Sequence, residues 1–159
     1  MGTNESLEIK RWIIEEEIKR EEIEMLYVPI PMGIDNNEII IIKDKGNILN
    51  ETNKGDVKIY IKVINNTKFI RNGMDLIYTK HITLKESLCG FSFKLEFIDG
   101  KKYIINNNKG NIIASGAQKI IDNMGIKRNG YTGNLIIKFS VNYPETLSNN
   151  VIDKLEKIL

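Results

Sequence analysis

Three stretches of this chain alternate apolar and polar residues with a period of two, and that pattern limits the possible folds more than any other feature. Val57, Ile59, Ile61 and Val63 interleave with Lys58, Tyr60 and Lys62. Phe91, Phe93, Leu95 and Phe97 do the same with Ser92, Lys94 and Glu96, and Leu135, Ile137, Phe139 and Val141 repeat the pattern. Successive side chains of a strand point to opposite faces, so these are strands with one buried face. Their β-branched and aromatic residues fit that state. Asn72-Gly73, Asp99-Gly100 and Asn129-Gly130 are turn dipeptides, since Asn, Asp and Gly tolerate positive φ. Strands joined by turns at this spacing predict an antiparallel, all-β architecture.

Two stretches depart from the pattern. Glu15 to Glu24 is rich in Glu, Lys and Arg, which local propensity reads as helix. Leu7, Ile9 and Met25 to Ile30 beside it look extended, which makes a charged hairpin the rival reading. At the C-terminus, Val151, Ile152, Leu155, Ile158 and Leu159 form a helical stripe, with Ser148 placed as N-cap after Leu147. A helix this short is marginal alone in water, so the stripe is expected to dock on something.

Composition sets limits. The chain has 159 residues, a net charge of +2 and one cysteine. That length suits one domain or two small ones and can bury a core without metal or disulfide staples. A single cysteine excludes a disulfide framework and any zinc site built on paired cysteines. The balanced charge gives no nucleic-acid or membrane reading. The longest apolar run, Ile39 to Ile42, is too short to span a bilayer, and no apolar segment follows Met1 as a secretory signal would require. The expectation is a cytoplasmic protein with no cofactor and no metal. With 30 Ile, 19 Asn and only 2 Ala, the composition is skewed enough that the Asn-x-Ser/Thr matches at Asn4, Asn50 and Asn65 are expected by chance.

Catalytic groupings are scarce. His81, the only histidine, sits in a predicted strand and reads as solvent-facing. Cys89 ends the segment Ile82 to Leu88 and reads as a buried structural thiol. Gly110 to Lys119 fails as a phosphate loop, because Ala117 stands where the motif needs its lysine. No paired carboxylates or metal-ligand spacing emerge, and no catalytic residues are assigned.

Particular strings then resemble the C-terminal region of DnaJ-family co-chaperones. They are Phe69-Ile70-Arg71-Asn72-Gly73-Met74-Asp75-Leu76-Ile77-Tyr78, followed by Ile82-Thr83-Leu84-Lys85-Glu86-Ser87-Leu88-Cys89-Gly90. Ile98-Asp99-Gly100-Lys101 is similar to the family's Leu-Asp-Gly hairpin, and Gly133 to Phe139 with Tyr143-Pro144 to its Gly-Asp-Leu strand and terminal Tyr-Pro. Ile30 to Asp35, Lys45-Gly46-Asn47 and Gly55-Asp56 resemble the closing half of the first C-terminal subdomain. Asn123 and Lys127 replace a glycine and a proline of the family's Gly-x-Gly-Met-Pro turn.

The resemblance implies two barrel-like β-sandwich subdomains, 1–64 and 65–147, followed by a dimerisation helix over 148–159. It implies a homodimer through Leu147, Val151, Ile152, Leu155, Ile158 and Leu159. It also implies capture of unfolded client polypeptide for a seventy-kilodalton heat-shock chaperone, in a groove lined by Leu7, Ile9 and Ile59. It favours the hairpin over the helix for Glu15 to Glu24. Relatives place lysines beside the groove to meet the partner's acidic tail; here Glu5 and Glu8 take two such places and only Lys10 remains, so like charge opposes the tail. The His-Pro-Asp element of a J domain does not occur in the chain, since His81 is followed by Ile82. The family's first strand, one wall of its groove, is expected to lie ahead of Gly2, as in a piece of a longer gene product. The competing reading is a non-catalytic assembly β-sandwich that dimerises through its C-terminal helix.

Overall fold

The computed structural model describes residues 2–159. In chain order the first elements are β1 (Thr3–Glu15), β2 (Ile18–Ile30), β3 (Ile39–Ile42), β4 (Ile48–Asn50), β5 (Asn53–Lys54) and β6 (Val57–Tyr60). Next come β7 (Ile70–Asn72), β8 (Asp75–Thr83), α1 (Leu84–Cys89), β9 (Phe91–Glu96), β10 (Lys102–Asn107) and β11 (Gln118–Ile121). The chain closes with β12 (Lys127–Arg128), β13 (Tyr131–Thr132), β14 (Leu135–Asn142) and α2 (Asn149–Ile158). The architecture is all-β. It divides into two compact units, the first holding the chain up to Asn66 together with Gly125–Gly133, the second holding Thr67–Met124 and Asn134–Leu159.

In the first unit, β1 and β2 form one long antiparallel hairpin, in register from Thr3 opposite Ile30 to Glu15 opposite Ile18. The charged stretch is therefore strand on both sides of a two-residue turn. Its charges become cross-strand rungs: Lys10 Nζ lies 2.7 Å from Glu21, Arg11 Nη2 2.8 Å from Glu22, and Arg20 Nη2 2.9 Å from Glu15. Arg11 directly faces Glu22 and the other two pairs bridge diagonally; opposite charges brought together across a sheet favour pairing, which is how tertiary context overrides helix propensity here. The turn residues Glu16 and Glu17 take φ of 49° and 65°, the type I′ geometry that matches strand twist.

Cross-strand partners share a face, so Leu7, Ile9, Arg11 and Ile13 lie on one side with Glu24, Leu26 and Val28. Ile13, Leu26 and Val28 are buried. Glu24 on that side sits between Lys45 Nζ at 2.6 Å and Arg11 Nη2 at 2.7 Å. The Lys45 hydrogen bond, opposed by desolvation and helped by the Arg11 charge, holds its carboxyl below the usual range. A second, two-stranded sheet pairs β3 with β6, Ile40 opposite Ile59. Arg128 grips Glu38 with both guanidinium arms, Nη2 donating to Oε2 at 2.7 Å.

The second unit holds a four-stranded sheet in the order β11-β14-β8-β7 and a β9–β10 hairpin. Eight residue pairs join β8 to β14 in parallel, from Leu76 opposite Leu135 to Thr83 opposite Asn142. The antiparallel expectation is corrected at this pair. Parallel neighbours need a long crossover, and everything between Leu84 and Asn134 supplies it. Ile82, Leu95, Leu135 and Ile137 are fully buried in the core. Thr83 caps α1 reciprocally with Glu86: the Glu86 N–H donates to Thr83 Oγ1 at 3.2 Å and the Thr83 N–H donates to Glu86 Oε2 at 2.8 Å. Inside this short helix the buried residue is Ser87, whose hydroxyl donates to the Ile113 carbonyl at 2.7 Å. Cys89 is exposed. The buried-thiol reading is corrected, because the face of α1 turned to the core is that of Ser87, two residues earlier. His81 is exposed on β8.

The two halves of the chain repeat one plan. Gly2-β1-β2-β3-β4-β5-β6 parallels Gly90-β9-β10-β11-β12-β13-β14, turn for turn. Asp44 and Asn123 take φ of 59° and 58°. Their N–H groups donate to Asp56 Oδ1 at 3.0 Å and Asn134 Oδ1 at 3.2 Å. Gly46 N–H donates to Gly55 O at 2.7 Å, and Gly125 N–H to Gly133 O at the same distance. Ile61 N–H donates to Glu38 O as Phe139 N–H does to Ala117 O, both at 2.9 Å. Matching pairs therefore include Leu7 with Leu95, Ile9 with Phe97, Val57 with Leu135, Ile59 with Ile137, Ile61 with Phe139 and Val63 with Val141.

Candidate functional site

Two apolar surfaces gather the residues singled out from the sequence, one in each unit. In the first unit, Leu7 and Ile9 project from β1 on the inward side of the hairpin, and Ile59 projects from β6 with Val57 and Ile61. Ile9, Val57, Ile59 and Ile61 are half-buried. Leu7 is 38% exposed while its counterpart Leu95 is 0% exposed, and Val63 is 41% exposed against 7% for Val141. Ile59 likewise matches the fully buried Ile137. The reason is topological: in the second unit β8 lies along β14, whereas among the described residues β6 has β3 as its one strand neighbour. The predicted groove residues thus occupy core positions of a unit whose sheet is open on one edge. Their alternation is legible in the sequence, whereas which strands lie beside β6 is visible only in the fold.

Charge around this face differs by side. Glu5 pairs with Val28 and shares the side of Leu7, whereas Glu8 and Lys10 lie on the opposite, outward side. Lys10 is taken up by Glu21 in an exposed ion pair.

The second surface is a cavity of about 580 Å³ lined by α1, the end of β14 and α2. Leu147, Val151 and Leu155 face it from the C-terminal side, Leu84, Leu88 and Cys89 from α1, and Tyr143 and Pro144 from the connecting segment. Of α2, Leu155 is half-buried and no residue is buried. Ile152 is exposed, and Ile158 and Leu159 are nearly as free as in an extended chain. Ser148 holds the N-cap position without a side-chain hydrogen bond. So of the six predicted dimerisation residues, three line the cavity and three lie outside it. Sequence reading missed Leu84, Leu88, Tyr143 and Pro144; the i, i+4 spacing of the two leucines on a capped helix is the signal that could have found them.

Among the described residues no group of three or more His, Cys, Asp and Glu side chains could hold a metal ion. Among the described residues no helix is long and apolar enough to cross a membrane.

Comparison with known proteins fits these observations. The family model for the DnaJ C terminal domain matches residues 1–144. The chain is 39% identical over 132 residues to a DnaJ homolog subfamily A member 1 homolog of Dictyostelium discoideum, covering 82% of this chain and 29% of that protein. It is 32% identical over 144 residues to chaperone protein dnaJ A6 of Oryza sativa subsp. japonica, covering 87% and 35%. It is 33% identical over 143 residues to the mitochondrial protein import protein MAS5 of Saccharomyces cerevisiae, again covering 87% and 35%. The chain spans about a third of the length of these relatives. With a family match over nearly its whole length, two repeated β units and a terminal helix, the chain belongs to the DnaJ family and comprises its C-terminal region.

Proposed function

We propose that this chain is the client-binding and dimerisation region of a DnaJ-type co-chaperone, holding unfolded polypeptide for a seventy-kilodalton heat-shock chaperone. The observation that carries the reading is the half-exposed apolar face of Leu7, Ile9 and Ile59 in a chain that belongs to the DnaJ family. An extended, unfolded segment presents alternating side chains, and such a face can take up the apolar ones. The apolar stripe of α2 supports the second half of the reading. Two copies packed through α2 and its cavity would bury Leu147, Val151, Ile152, Leu155, Ile158 and Leu159, and a two-fold dimer would set two client faces in one assembly. Two faces on one particle hold a long flexible chain more tightly than either alone.

Suppression of aggregation of a chemically denatured client at near-stoichiometric dimer tests the reading. Ile59→Asp should abolish most of that protection, since it places a charge in an apolar face, while circular dichroism keeps its β signal. A dimer that leaves client aggregation unchanged would instead support the assembly-only reading.

A further inference from the structure

The loop between β2 and β3 braces the far end of β6. Asn37 N–H donates to Ile61 O and Ile61 N–H to Glu38 O, each at 2.9 Å, while Val63 N–H donates to Asn36 Oδ1 at 3.0 Å. The second half of the chain repeats this brace. Gly116 N–H donates to Phe139 O at 2.8 Å, Phe139 N–H to Ala117 O at 2.9 Å, and Val141 N–H to Ser115 Oγ at 3.4 Å. What secures the loop differs between the halves. Ala117 stands where the first unit has Glu38, and its loop is tied to α1 by Ile113 N–H donating to Ser87 O and Ser87 Oγ donating to Ile113 O. In the first unit the Glu38 carboxylate accepts from the Asp35 N–H at 2.7 Å and is gripped by both arms of Arg128. Arg128 comes from the β12–β13 hairpin, whose residues Gly125–Gly133 belong to the first unit despite their late place in the chain. The seat of that hairpin needs a glycine: Gly33 has φ of 77°, and a Cβ there would collide with the Lys127 carbonyl oxygen and the Arg128 Cβ.

We propose that Arg128 is a positioning residue for the client face, clasping Glu38 and thereby holding the Ile61 and Val63 end of β6 in place. This rests on the reading of Leu7, Ile9 and Ile59 as the polypeptide-contacting face, and adds the device that sets its geometry. The path is short: the Glu38 carboxylate meets Arg128, and the carbonyl of the same residue meets Ile61. An arginine–carboxylate fork fixes orientation as well as distance, which a lysine ammonium does not. With the clasp undone, the end of β6 frays, and a frayed face must be ordered again each time a client binds, at a cost in affinity. The pair is ionic and its side chains are about a third exposed, so salt loosens it.

Amide hydrogen exchange on the intact chain, resolved by NMR, tests the clasp. Arg128→Met keeps the stem and removes the charge. It should speed exchange at Ile61 and Val63 about fivefold and leave their counterparts Phe139 and Val141 unchanged. Arg128→Lys, which keeps the charge without the fork, should fall between Arg128→Met and the parent. Affinity for reduced, carboxymethylated lactalbumin, a permanently unfolded probe, should drop in the same order, by about fivefold in Arg128→Met. Unchanged exchange at Ile61 and Val63, or equal acceleration at Phe139 and Val141, would overturn the clasp. Local loosening with unaltered probe affinity would overturn the positioning role while leaving polypeptide capture standing. A parent chain that does not bind the probe removes the wider reading and the positioning role together, and the exchange data then speak for the clasp alone. Should Arg128→Met fail to fold, the parent chain decides. Raising salt to roughly 1 M should speed Ile61 and Val63 relative to Phe139 and Val141, and no relative change would overturn the clasp.

Discussion

Glu86 shows how one side chain fixes a local structure and makes it depend on pH. The Thr83 N–H donating to its carboxylate is the largest of the influences that lower its pKa from 4.5, followed by the Thr83 hydroxyl, with a smaller contribution from Lys80. A carboxyl whose folded pKa lies below its unfolded one stabilises fully above the unfolded value, and that stabilisation is lost as pH falls through the folded one. Glu86→Ala, which removes the carboxylate that both the N–H and the hydroxyl of Thr83 reach, should therefore lower stability by about 1 kcal/mol at neutral pH. Melting curves should converge with those of the parent in acid, below the ordinary carboxylate range. Equal destabilisation at all pH values would show that the cap acts through shape alone. At this scale Ser87 and Cys89 mark what the sequence conceals: both are small and polar or weakly polar, and only the docking of α1 decides which is buried.

Among the elements, the β1–β2 hairpin was half legible. The alternation of Leu7, Ile9 and Ile13 is readable, but the turn lacks Asn and Gly and is set by rungs of opposite charge that become neighbours only once the strands pair. Left-handed backbone at a non-glycine residue costs roughly 1 kcal/mol or more. Replacing Glu16 and Glu17 by Asn and Gly should therefore raise the denaturant midpoint without altering the slope of the transition. A lower midpoint would mean that the two glutamates contribute contacts beyond the turn. The helix α2 reads more directly from its stripe. If copies associate through it, Leu155→Asp should convert a micromolar dimer into a monomer that keeps its β signal in sedimentation and circular dichroism. A parent chain that already sediments as a monomer at those concentrations would set the assembly aside. The parallel pairing of β8 with β14 was beyond reach of pattern reading, because each strand alternates alike whichever way its neighbour runs.

For the molecule as a whole, client capture and chaperone stimulation should separate. With no His-Pro-Asp element in these 159 residues, the chain alone should leave a heat-shock ATPase at its basal rate even where it protects a client. Strong stimulation in a steady-state assay would require a different activating surface. The repeat of one plan in both units was hidden for a related reason: few identities mark it, chiefly Gly46 with Gly125 and Gly55 with Gly133. The rest of the match lies in backbone geometry that Asp44 and Asn123 share without being identical. The membership of Gly125–Gly133 in the first unit carries a consequence for biosynthesis. On the ribosome the hairpin of β1 and β2 emerges well before the segment bearing Arg128, the partner of Glu38, which follows Asn66 by roughly 60 residues, or roughly 3–12 s of translation. The first unit, begun before the second, is thus completed only after most of the second has been made. During that interval its apolar face is available to the very chaperones that the mature protein is proposed to serve.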